Sequence, residues 1–167
     1  MSNILVTGGS GFIGSNIIET LKKANHKVFN IDKNLSNFGD HFENIDINDT
    51  SKIETFLKKN SIEFVYHIAA IANARRSLEN VQETIINNVS GTASILKASS
   101  NSNIKKVILA STVWIYNAVD KTDGRKNNGN IILDENSKIL PSCGGHYYTT
   151  SKLASEFLCH DFKSLEN

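Results

Sequence analysis

The chain has 167 residues and 40% hydrophobic content, the scale of one ordinary core, so a single domain over residues 1–167 is expected. With 18 Lys and Arg against 17 Asp and Glu, a formal net charge of +1, no overall field points to nucleic acid or an anionic membrane, and any bound phosphate must be held locally. Two cysteines, Cys143 and Cys159, are too few for a disulfide framework and lack zinc-ligand spacing, and no apolar run approaches a bilayer span. A soluble, cytoplasmic protein without metal, nucleic-acid or membrane partners is the expectation.

Short β-rich runs alternate with longer amphipathic stretches, the pattern of βα units around a parallel sheet. Asn3–Thr7 (NILVT) reads as the first strand, and a glycine-rich turn passes it to a helix over 12–24. Strands are expected at Lys27–Ile31 (KVFNI) and 43–47 (ENIDI), then a helix over 51–59 opened by Ser51 and Glu54 in capping-box register. A fourth strand over 63–68 (EFVYHI) leads into a long helix over 81–100, and a fifth over 106–110 (KVILA) follows. The polar stretch KTDGRKNNGN, 121–130, reads as a mobile surface loop, with the single proline, Pro141, beyond it. A last helix over 149–163 places Leu153, Phe157 and Leu158 at helical spacing.

Two ends of this pattern carry chemistry. TGGSGFIG, residues 7–14, follows a strand and opens a helix, and it satisfies both Gly9-x-Gly11-x-x-Gly14 and Gly8-x-x-Gly11-x-x-Gly14. Such glycines permit a tight turn and let backbone amides, including those of Phe12 and Ile13, approach a pyrophosphate at the helix N-terminus. Asp32 ends the second strand 18 residues beyond Gly14, where a carboxylate can accept from an adenosine ribose. Its charge would repel a 2′-phosphate, favouring NAD over NADP, although Lys33 beside it weakens that preference. At the other end, Tyr148 and Lys152 stand four apart and share a helix face. A nearby ammonium favours a phenolate and so a proton transfer at neutral pH; taken alone, such a pair is more often a solvated helix face. His67 in the fourth strand reads as a core histidine rather than a catalyst.

With both ends in place, the chain resembles the extended short-chain dehydrogenase/reductases, and within them the NAD-dependent nucleotide-sugar epimerase/dehydratase family. Further stretches match in order: DIND (46–49), VYHIAA (65–70), NNVSGT (87–92), ASTVWIYN (110–117) and YTTSKLASE (148–156). The resemblance implies a doubly wound, Rossmann-like parallel sheet with helices on both faces, lacking the C-terminal substrate domain with which the family pattern continues. It places Asp46 and Ile47 against an adenine, Ala69 and Ala70 on the nicotinamide side, Asn88 near the cofactor, and Ser111 with Thr112 at the end of the fifth strand. Thr112 then completes a Thr-Tyr-Lys constellation with Tyr148 and Lys152, in which the resemblance also has Lys152 hold the nicotinamide ribose and sets Ser111 and Tyr148 against the cofactor.

The resemblance implies a nucleotide-sugar substrate, NAD as cofactor, a keto-sugar intermediate and a homodimer paired through the two long helices. Dehydratase relatives often carry an Asp-Glu pair after the catalytic threonine; Val113 and Trp114 stand there, so epimerisation or simple oxidoreduction is preferred over dehydration. RRSLEN (75–80) also looks like the epimerase branch. Asn117 replaces a usual glycine, and the approach to Tyr148, PSCGGHYY, is longer than common. The alternatives are a nucleotide-sugar dehydratase or reductase, a non-catalytic dinucleotide-binding module, and an N-terminal fragment that is inactive or requires a partner.

Overall fold

The computed structural model describes residues 1–35, 38–116, 125–127, 130–132, 135, 137, 139 and 146–165. Asn117, Pro141 and Cys143 lie outside the described residues. Five parallel strands, β1 (Asn3–Thr7), β2 (Lys27–Ile31), β3 (His41–Glu43), β4 (Phe64–His67) and β5 (Lys106–Leu109), form one sheet in the order β3-β2-β1-β4-β5. Between them run α1 (Phe12–Lys23), α2 (Thr50–Lys59), α3 (Ala74–Glu79), α4 (Val81–Ile85), a π-helical turn (Ile86–Ser90) and α5 (Gly91–Ser100). After β5 come a 3₁₀ turn (Val113–Tyr116), an antiparallel ribbon of β6 (Arg125–Asn127) and β7 (Asn130–Ile132), and α6 (Tyr147–Leu165).

The strands are apolar on both faces because both are covered. Leu5, Phe29, Ile31 and Val65 point to one side, where Ile53, Phe56 and Leu57 of α2 and Ile95 and Ala98 of α5 close the core. Val6, Val28 and the half-buried Tyr66 point to the other, under Ile17, Ile18 and Leu21 of α1. Leu5 stands opposite Phe29 and Val65 in register, so one residue step along β1 switches between two cores. The chain builds outward from β1 to β2 and β3, then returns to add β4 and β5 on the other side. That reversal beside β1 leaves a crevice at the carboxyl ends of the strands, the place where open α/β sheets bind ligands.

Several local expectations are corrected. The third strand is three residues at His41–Glu43 rather than 43–47. Ile45 and Ile47 alternate like strand residues and are buried, but Asp46 accepts from the Asn48 amide at 2.9 Å, a local turn that takes this segment out of the ladder. Helix α2 starts at Thr50 and is capped by Asp49, whose Oδ1 accepts from the Lys52 amide at 3.0 Å; Ser51 is inside the helix, so the Ser51/Glu54 capping box does not form. RRSLEN, to which the sequence pattern assigns no element, is mostly helical: it lies in α3, capped by Asn73, whose Oδ1 accepts from the Arg76 amide at 3.0 Å. The long helix over 81–100 is interrupted by the π turn. The polar stretch 121–130 contains β6 and the start of β7; Asn127 pairs with Asn130, and the two residues between them in sequence are Asn-Gly, the pair hairpins favour.

Candidate functional site

A crevice of about 530 Å³ lies over the carboxyl ends of β1, β2 and β4. Of the residues expected from sequence, Gly8, Gly11, Phe12, Ile13, Gly14, Asp32, Ile47, Ala69 and Ala70 line it. Gly8 adopts φ +73°, and a Cβ there would stand 2.7 Å from the Ala69 backbone, so the turn needs glycine on both counts. A Cβ at Gly14 would reach within 2.3 Å of the Gly8 carbonyl oxygen, the closeness with which α1 packs on its own turn. Gly11 differs: a Cβ there meets only the Gly8 carbonyl, at 3.4 Å. Among the described residues nothing forbids a side chain at Gly11; the room it leaves is room for a ligand against the backbone. No side chain caps α1 at Gly11 among the described residues, so its first amides face the crevice as an anion-binding end.

Asp32 is held by two backbone amides, Ser10 donating to Oδ2 at 3.0 Å and Asn34 to Oδ1 at 2.9 Å. A carboxylate has about four acceptor positions, so two amides leave capacity for ribose hydroxyls. Lys33, which also lines the crevice, is tied to Asp46 at 3.1 Å and donates to Asn87 Oδ1 at 3.1 Å. Burial pushes the Asp46 carboxyl up, but bonds from the Asn48 amide and Lys33 outweigh it and hold it below its ordinary range. Asp46 thus adjoins the wall without lining it. Lys33, Arg76 of RRSLEN and Asn87 of NNVSGT also line the crevice, Arg76 donating to Glu83 at 2.7 Å; Asn34 and Glu83 are lining residues that the motifs did not single out. Their signal in sequence is only their position after β2 and near the start of the central helix.

Asn88 is buried and lies beneath the crevice. Its Oδ1 accepts from the Ile71 amide at 2.8 Å, and its Nδ2 donates to the Ile71 carbonyl at 3.1 Å and to Ser151 Oγ at 2.9 Å. It therefore bolts the loop after β4, which carries Ala69 and Ala70, to α6.

The second group sits where β5 ends and α6 begins, outside the lining of that crevice. Lys152 is only 3% exposed, and its Nζ donates to the Ala110 carbonyl at 2.7 Å. Burial pushes its pKa down to about 8, although Cys159 and Glu156 act in the other direction. Tyr148 lies one helical turn before it and is half-buried. Thr112 Oγ1 accepts from the Trp114 amide at 3.3 Å, and Ser111 Oγ donates to Glu156 of α6. Trp114, His146 and Tyr148 form a cluster of rings. His67 is fully buried between Thr7 and Thr92, and burial lowers its pKa to about 3, so it is neutral.

A doubly wound parallel sheet with a glycine-lined, amide-rich crevice and an acidic residue after the second strand defines a Rossmann-type dinucleotide-binding protein. The chain belongs to the NAD dependent epimerase/dehydratase family, which it matches over residues 4–166. It is similar to the dTDP-D-glucose 4,6-dehydratase of Dictyostelium discoideum, 30% identical over 178 aligned positions that cover 97% of this chain and 40% of that protein. The UDP-glucose 4-epimerase from Brucella ovis in complex with NAD shares the fold with a TM-score of 0.84 at 27% identity, over 99% of this chain and 49% of that one. MoeE5 in complex with UDP-glucose and NAD gives 0.79 at 27% identity, over 96% and 48%. The chain spans about half the length of these two structures and 40% of the dehydratase.

Proposed function

We propose that this chain carries the cofactor half and the proton-transfer group of an NAD-dependent nucleotide-sugar epimerase or related oxidoreductase that works through a keto-sugar. The observation that carries this reading is the buried Lys152, fixed to Ala110 at the end of β5 one helical turn from Tyr148, in a fold whose neighbouring strands carry the glycine crevice. A buried lysine is costly, and a purely structural position would sooner hold an apolar residue. Gly8, Gly11, Gly14 and the first turn of α1 would hold the pyrophosphate, Asp32 the adenosine ribose, and Ala69 and Ala70 the nicotinamide side. NAD, when bound, supplies the hydride acceptor and donor. Tyr148 takes the proton of the reacting sugar hydroxyl, Lys152 lowers the cost of the phenolate, and Thr112 orients the hydroxyl oxygen.

Relatives of this chain include both a dehydratase and an epimerase, so family alone does not choose between eliminating water and redox at one carbon. Val113 and Trp114 support the second. Both are exposed in the 3₁₀ turn after Thr112, where neither side chain can give or take a proton. A homodimer through the long helices belongs to the same reading. Ile85, Ile86 and Phe157 are exposed on α4, the π turn and α6, and sedimentation of a clean monomer at high concentration would remove that part.

The test is hydride transfer with UDP-glucose and NAD, run beside NAD binding by calorimetry. Tyr148→Phe should abolish transfer and leave the NAD Kd within about three-fold, because the phenol oxygen acts on the sugar and not on the dinucleotide phosphates. Transfer that survives the substitution would exclude Tyr148 as proton acceptor; NAD binding with no transfer in the unsubstituted chain would favour the non-catalytic dinucleotide-binding reading.

A further inference from the structure

We propose that His146 is a positioning residue for Tyr148, fixing the direction of the phenol through its ring and through the cap it places on α6. The proposal rests on the reading of Tyr148 as proton acceptor given above.

Helix α6 begins at Tyr147, so Tyr148 lies in its first turn, the part of a helix whose amides have no intrahelical partner and which frays first. His146 stands at the cap position. Its Nδ1 accepts from the Thr149 amide at 3.3 Å and lies 3.2 Å from Thr149 Oγ1, and Thr149 is fully buried. The bond from an amide N–H requires a lone pair on Nδ1, which in the neutral ring puts the proton on Nε2. A side chain that caps from this position does the work usually given to Ser, Thr, Asp or Asn, and here it brings an aromatic ring with it.

The ring is used. It lies nearly parallel to that of Tyr148, with centroids 6.0 Å apart and planes at 25°. Trp114 meets both edge-on, 4.7 Å from the His146 centroid and 6.1 Å from that of Tyr148. The Trp114 amide also donates to Thr112 Oγ1. Thr112 and Tyr148 come from different elements, and this three-ring joint connects the turn that carries one to the helix start that carries the other. A phenol must stand within hydrogen-bond reach of the hydroxyl it deprotonates, and an error of about 1 Å is enough to cost on the order of 100-fold in rate. Without the His146 ring, Tyr148 keeps only Trp114 of the two rings that stand beside it here.

The two roles separate by substitution. His146→Ala removes cap and ring; His146→Asn restores a good cap acceptor and leaves out the ring. Three readouts are taken: the melting temperature, the aromatic NMR resonances of Tyr148 (assigned by their loss in Tyr148→Phe), and kcat and KM for UDP-glucose with NAD. The expected result is a melting temperature lowered in His146→Ala and recovered in His146→Asn. In His146→Asn the Tyr148 resonances should nonetheless move, losing the His146 part of their ring-current shift while the Trp114 part remains, and kcat should fall about ten-fold with KM changed less than two-fold. If His146→Asn keeps the Tyr148 resonances and kcat of the unsubstituted chain, His146 is a helix cap only and the proposal is overturned. If the unsubstituted chain turns nothing over, that result bears on the catalytic reading of this chain and not on His146, and the resonances alone then decide whether His146 positions the ring.

Discussion

Replacing Lys152 with methionine should make the protein more stable at neutral pH. The side chain is 3% exposed, and its pKa falls from the ordinary 10.5 to about 8, chiefly because burial disfavours the charged form. At about 1.4 kcal/mol per unit, holding the ammonium charged and buried at pH 7 costs about 3 kcal/mol. The folded pKa lies below the unfolded one, so the folded state binds fewer protons between about pH 8 and pH 10.5. The penalty is therefore fully present below about pH 8 and is relieved as pH rises through that window. Methionine keeps the length and apolar stem, but it leaves the Ala110 carbonyl without its donor, a loss of about 1 kcal/mol. The net gain at pH 7 is about 2 kcal/mol, or roughly 4–8 °C in melting temperature for a chain of this size. Urea denaturation of both proteins from pH 7 to pH 10.5 measures it, the difference between the two curves cancelling the other titrating groups. The gain should shrink as pH rises above 8. A Lys152→Met protein that is less stable at pH 7, or a gain that does not change with pH, would refute the idea that Lys152 is kept against the cost of its burial.

Two further predictions separate residues that sequence treats alike. Gly11→Ala should leave stability within about 0.5 kcal/mol, because a Cβ there meets nothing closer than 3.4 Å, yet weaken NAD binding at least about ten-fold by calorimetry. Gly14→Ala should destabilise the chain by about 1–3 kcal/mol with or without cofactor, since its Cβ would stand 2.3 Å from the Gly8 oxygen. Asp49→Ala should lower stability by about 1 kcal/mol through loss of the α2 cap, and Ser51→Ala, inside the helix, by almost nothing; denaturant midpoints compare them directly.

The strands and the glycine turn were legible because their signals are local. β1 and β2 fall where apolar runs end in glycine or Asp32, and α1 opens where the glycines stop. The third strand was misread because period-two burial of Ile45 and Ile47 looks the same whether the backbone joins a ladder or turns beneath a helix; Ile47 is buried where a Cβ on Gly91 would meet it at 2.5 Å. The cap of α2 was misread by two positions because Asp49 and Ser51 are both good caps in sequence, and only the backbone decides which oxygen meets an amide. The π turn gave no sequence signal, since an extra residue in a helix leaves the local composition unchanged. His146 carries no signal in sequence because its cap partner and its ring partners lie in two elements, one of them the turn after β5.

The π turn and His67 together explain how the two ends of the site keep a fixed relation. Widening the helix at Ile86–Ser90 turns Asn88 inward, where its side chain grips both Ile71 and Ser151 and its carbonyl accepts from Thr92 Oγ1 at 2.6 Å and Ser155 Oγ at 2.9 Å. Because the Thr92 hydroxyl gives its proton to that carbonyl, it can only accept from His67, which puts the imidazole proton on Nε2. Nδ1 is then the acceptor, and Thr7 must donate to it at 2.8 Å while its own oxygen accepts from the Ala69 amide at 3.2 Å. One proton assignment satisfies the whole run from β1 through β4 and α5 to α6. A charged His67 would break it at Nδ1, and burial, with Lys152 as a further positive charge, keeps the ring neutral. The residues that carry the glycine crevice and those that carry Lys152 are thus joined by buried hydrogen bonds as well as by apolar packing. Such bonds are directional, so they specify one separation between the glycine crevice and the Lys152 group where side-chain packing alone would allow several.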